Sequence, residues 1–164
     1  ALTLAGRDAH IAHVGDSRAY LVRRRVVTQL TADHSRVGEM LRLRLITPEQ
    51  AANHPARSAL TRSLGGDMIV QVDLVTQPVE PGDAFVLCSD GLWDTVPRSE
   101  LAEILAAIGS PDVPTPAAAA AALVDAAISQ KAPDNVTAVV VKVTSDRPIP
   151  AAGGRRSLFR RGGR

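Results

Sequence analysis

Cysteine is almost absent from this sequence. The single Cys88 among 164 residues excludes an internal disulfide and fits a reducing compartment. It sits inside the apolar run 85–88, so it reads as a small buried core residue rather than a nucleophile. Aromatic residues make up only 2% of the chain, so the core must be built from Val, Leu, Ile and Ala. Lysine is nearly missing too: Lys131 and Lys142 stand against many Arg, a compositional bias rather than a functional signal. No run of about eighteen apolar residues occurs, so no transmembrane helix is encoded. Arg7, Asp8 and His10 break up the first stretch before any apolar core builds, which argues against a secretory signal.

What is present suffices for one domain. The 164 residues are 45% hydrophobic, enough for a real core. Net charge is +2, and the last fourteen residues hold Arg155, Arg156, Arg160, Arg161 and Arg164 with no acid. Without those five the body is mildly acidic. The tail could contact nucleic acid or acidic lipid, but a solvated, disordered tail from residue 146 is the better reading, since Phe159 has no stacking platform around it.

Three short acidic turns stand out: Gly15-Asp16-Ser17-Arg18, Ser89-Asp90-Gly91 and Asp134-Asn135. Each carboxylate lies where a strand-like apolar run meets a turn. A strand end fixes a carboxylate in space, and several that converge make a site for a hard divalent cation. Taken singly, any of these Asp residues simply caps a turn.

Strands are expected over residues 2–5, 10–14, 19–22 and 26–30, linked as antiparallel hairpins, with Arg23-Arg24-Arg25 a solvated hairpin tip. Val37, Met40, Leu41 and Leu45 recur at helical spacing. Thr47-Pro48-Glu49-Gln50 is a capping-box arrangement. Two short helices, 35–45 and 48–53, therefore form an insert beside the sheet. Residues 68–79 alternate as a strand, 84–88 form another, and 91–94 turn the chain. Helices follow over 99–107 and from Thr115-Pro116 to about 130. The continuous apolar run 136–143 reads as a buried central strand. Among other residues, Asp33 and Asp94 read as structural, His13 as a core or cross-strand residue, Arg62 as a salt-bridge partner and Trp93 as a core plug.

Five motifs in order carry a resemblance. They are residues 12–20 (AHVGDSRAY), 30–35 (LTADHS), 60–65 (LTRSLG), 85–94 (FVLCSDGLWD) and 134–137 (DNVT). The chain resembles the metal-dependent type 2C Ser/Thr protein phosphatases in their bacterial form, over residues 1–145. The resemblance implies an α+β fold, a four-layer α-β-β-α sandwich of two antiparallel sheets, with residues 35–59 as the family's flap. It implies that Asp90 and Asp134 hold one metal of a binuclear Mn2+ or Mg2+ centre. Asp16 and Asp90 would support a third metal, with Ser89, Gly91 and Asn135 in support. The reaction implied is attack of a metal-activated water on phosphoserine or phosphothreonine in proteins. The implied partners are phosphorylated proteins, Ser/Thr kinases among them, met by a cytoplasmic monomer without nucleic acid.

The family pattern also has an early Asp-Gly-x-Gly-Gly element, whose Asp bridges two metals, and an upstream Arg that grips the phosphate. Neither occurs in these 164 residues. The expectation is thus the C-terminal two-thirds of a catalytic domain. The alternative reading is a catalytically impaired module that binds phosphoproteins.

Overall fold

The computed structural model describes residues 1–66 and 68–144. The chain runs β1 (Leu2–Ala5), β2 (Asp8–His13), β3 (Arg18–Arg23), β4 (Val26–Gln29), α1 (Arg36–Arg42), α2 (Pro48–Ala52), β5 (Asp73–Pro78), β6 (Ala84–Cys88), α3 (Asp90–Trp93), α4 (Arg98–Ala106), α5 (Pro116–Ser129) and β7 (Ala138–Lys142). The strands form two antiparallel sheets, β1-β2-β5 and β4-β3-β6-β7. This is the α+β, two-sheet architecture expected. Helices α4 and α5 lie over the four-stranded sheet. The Arg-rich tail falls outside the described residues.

Period-two alternation divides β3 and β6 between two cores. Tyr20, Val22, Ala84, Val86 and Cys88 face the helices and pack with Leu92, Leu101, Leu105 and Leu123. Leu21 and Phe85 point the other way, against Ala9 and Val143 between the sheets. Both faces of these strands are buried, which is why they read as unbroken apolar runs. Helix α5 repeats its contact every four residues: Ala119, Leu123 and Ala127 are all fully buried. Thr115 caps it, accepting from the Ala118 N–H at 3.1 Å, and Pro116 opens it.

Three sequence expectations are corrected. The strand expected over 68–79 starts only at Asp73, because β2 ends at His13, the register partner of Asp73, and offers nothing to pair with beyond it. Residues 91–94 are not a simple turn: Asp90–Trp93 form the short helix α3, with Ser89 at its N-cap. The last strand is not central. Among the described residues β7 pairs with β6 alone, so it lies at the sheet edge, and Val139 is half exposed. Its other face meets α5, which accounts for its apolar composition.

The insert is anchored at its base. Ser35 caps α1, and Thr47 and Gln50 form the expected reciprocal capping box on α2. Returning chain is tied to outgoing chain by the Arg36 N–H to Ala59 carbonyl bond (2.9 Å) and the Thr61 N–H to His34 carbonyl bond (2.8 Å).

Candidate metal centre

Register alone brings the three acidic turns together. Arg18 at the start of β3 pairs with Cys88 at the end of β6, and Cys88 pairs with Ala138 at the start of β7. Asp16, Asp90 and Asp134 therefore emerge at the same end of the four-stranded sheet. All three line one cavity of about 770 Å3, whose far wall is the α1–α2 insert.

The turns are locked by short-range contacts. Gly15 has φ +103°, a conformation that L side chains rarely adopt, so glycine is required there. Its N–H donates to His34 Nδ1 (3.2 Å), and its carbonyl accepts from the His34 N–H (2.8 Å). The second and third turns meet through Ser89, whose hydroxyl donates to the Asn135 carbonyl and accepts from the Thr137 N–H, both at 3.0 Å. Gly91 closes the same junction. A Cβ there would lie 2.5 Å from the Asn135 carbonyl oxygen and 3.1 Å from that of Asp134. Asp90 and Asp134 each accept the N–H of the next residue, which fixes the carboxylates in their turns.

Electrostatics separates the acids of the cavity into two groups. Asp33 receives a two-pronged ion pair from Arg18, with Nη2 at 2.7 Å and Nε at 2.9 Å. Asp94 pairs with Arg57 at 3.0 Å. Both have the structural roles expected of them. Asp16, Asp90 and Asp134 have no Lys or Arg partner among the described residues. Burial, then the neighbouring Asp90 carboxylate, raises the Asp16 carboxyl above its ordinary value. A cation between these two acids would relieve that cost.

The residues fit a hard divalent ion in chemistry and in place. They are oxygen donors, lack basic partners and share one cavity. Among the described residues, however, no three His, Cys, Asp or Glu side chains gather closely enough to hold an ion by themselves. That arrangement suits a hydrated ion held through one or two carboxylates, the usual habit of magnesium.

Several neighbours escape a reading of sequence alone. Arg18 stacks on Trp93, its guanidinium carbon 3.4 Å from the ring centroid, and Trp93 Nε1 donates to the Asp16 carbonyl at 3.0 Å. Trp93 is therefore both core and cavity wall. His13 and His34 rings lie 4.7 Å apart. His34 accepts at Nδ1, so Nε2 carries its proton and donates to Asp73 at 3.1 Å. Arg62 pairs with the same Asp73 at 2.8 Å, the salt bridge expected of it. Cys88 is buried, which pushes its thiol up to about 12 and removes it as a nucleophile.

Fold and cavity together define a two-sheet α+β sandwich with an acidic mouth. The family profile Protein phosphatase 2C matches residues 2–136, and the chain belongs to that family. It is 47% identical over 105 residues to the serine/threonine phosphatase stp of Listeria monocytogenes serotype 4b, covering 64% of this chain and 42% of that protein. It is 38% identical over 143 residues to the serine/threonine protein phosphatase PstP of Mycobacterium tuberculosis, covering 87% of this chain and 26% of that one. The chain thus spans less than half the length of these curated relatives. The crystal structure of Mycobacterium tuberculosis PstP/Ppp superposes with a TM-score of 0.76 at 38% identity, over 88% of this chain and 58% of that one. The PstP catalytic domain in complex with two manganese ions gives 0.73 at 35% identity, over 88% and 57%.

Proposed function

We propose that this chain provides the metal-binding end of a protein Ser/Thr phosphatase that hydrolyses phosphoserine and phosphothreonine in proteins. The observation that carries the reading is the trio Asp16, Asp90 and Asp134, set around one cavity with no basic partner among the described residues. The names of the relatives and the two manganese ions of the PstP structure support it.

In this reading Asp90 and Asp134 would hold one ion, Mn2+ or Mg2+, of a binuclear centre, and Asp16 with Asp90 would support a third. When bound, such ions lower the pKa of water and offset the charge of the phosphoryl oxygens. The chain's own part is positional. The Ser89 clamp and Gly91 contact fix the Asp90 and Asp134 turns against each other, and Trp93 fixes Asp16 through its carbonyl. The α1–α2 insert forms part of the cavity wall. The substrates are phosphorylated proteins, Ser/Thr kinases among them, met in the cytoplasm by a monomer. Among the described residues no helix is long and apolar enough to cross a membrane.

The test is Mn2+-dependent hydrolysis of a phosphothreonine peptide by the chain and by Asp90→Asn and Asp134→Asn. Hydrolysis that is lost in both variants supports the reading. Hydrolysis that survives both changes refutes it.

A further inference from the structure

The cavity is larger and more varied than a phosphate needs. At about 770 Å3 it lies within the range that buries a drug-sized ligand. Its lining is of two kinds: Asp16, Asp90 and Asp134 are acidic, and Val37 and Leu41 of α1 with Pro48 and Ala51 of α2 are apolar. The insert is tied to α3, because Arg57, just past the insert's second helix, pairs at 3.0 Å with Asp94, which caps α3.

We propose that the apolar part of the lining seats an apolar side chain of a phosphopeptide whose phosphoryl group lies at the three carboxylates. The site then selects substrates with a Leu-like residue near the phosphorylated one. This rests on the phosphatase reading and adds a specificity element to it. Three observations favour that occupant. The apolar and the acidic residues line one cavity, so a single extended ligand can touch both. Leu41 is partly accessible and Pro48 exposed, while Val37 and Ala51 are buried behind them. Arg42 lines the same cavity and has no acidic partner among the described residues, which favours a negatively charged peptide over an apolar surface.

The experiment uses the full chain with Mn2+ and fluorescent peptides carrying a hydrolysis-resistant phosphonate in place of phosphothreonine. In a Gly-rich host, one Leu is moved from three residues before the phosphonate to three residues after it. Anisotropy should show one position, or two adjacent ones, binding about tenfold tighter than the host, the gain expected for burying one Leu side chain. Leu41→Asp should erase that gain. Ala52→Asp serves as the second variant, because Ala52 lines the cavity but is exposed, so an acid there is compatible with folding. If every Leu position binds like the host, or if both variants keep the gain, the apolar seat is overturned while phosphonate-dependent binding leaves the phosphatase reading standing. If Leu peptides bind equally with and without the phosphonate, the phosphatase reading falls and the seat stands.

Discussion

Gly91→Ala is the sharpest probe of the candidate centre, because it perturbs two of its turns at once. Gly91 is buried in α3, and its missing side chain is where the 134–135 backbone passes. A Cβ would sit 2.5 Å from the Asn135 carbonyl oxygen, short of an ordinary 3.4 Å contact by about 0.9 Å. The obstacle is backbone, not the end of a flexible side chain, so one turn must move. Overpacking of this kind costs about 1–3 kcal/mol. Alanine's better helix propensity offsets up to about 1 kcal/mol of that. The net loss is about 1 kcal/mol, or a drop in Tm of about 2–4 °C for a chain of this size. Function should suffer far more, since displacing a positioned group by about 1 Å can cost about a hundredfold in rate. Thermal melts followed by circular dichroism, set beside calorimetric Mn2+ titration and peptide hydrolysis, measure the two effects separately. A variant that melts lower yet binds Mn2+ and turns over like the parent would show that the Asp90–Asp134 spacing is irrelevant.

Other perturbations probe the scaffold. Burial and the adjacent His34 lower the pKa of His13 below 6.5, against the opposing pull of the Ser17 backbone and then of Asp33 and Asp73. The unfolded chain therefore takes up that proton more readily. The stability contributed by neutral His13 is full above pH 6.5 and is lost as pH falls from there towards the folded value. His13→Phe, which also removes two buried ring nitrogens without partners, should gain more stability relative to the parent at about pH 5 than at about pH 8. Equal gains in denaturant titrations at both pH values would exclude the effect. Asp33→Asn strands the partly buried Arg18 guanidinium and should cost about 2–4 kcal/mol, read from the urea midpoint. An unchanged midpoint would show that the Trp93 face alone holds Arg18. Leu123→Ala opens a cavity beneath the four-stranded sheet and should cost about 2–5 kcal/mol by the same measurement.

Much of this arrangement is legible in the sequence where the determinants are local. Thr47 and Gln50 announce their capping box, Thr115-Pro116 announces α5, and the three acidic turns announce their own position because each abuts an apolar strand. What fails does so for want of a partner. Residues 68–72 alternate like a strand, but among the described residues no strand pairs with them once β2 has ended. The 136–143 run is apolar enough for a sheet centre because α5 buries one of its faces, yet among the described residues it pairs with β6 alone and lies at the edge. The short α3 is too brief to leave a helical period. Ion pairs such as Arg18–Asp33 and Arg57–Asp94 join residues 15 and 37 positions apart, and no local pattern encodes such a choice.

The stacking of Arg18 on Trp93 has a practical consequence. The sequence contains one tryptophan, and it donates to the backbone of Asp16. Its emission is therefore a built-in optical gauge of the acidic mouth, free of background from any second indole. Ions or peptides entering there can be followed on the unlabelled, unmutated chain.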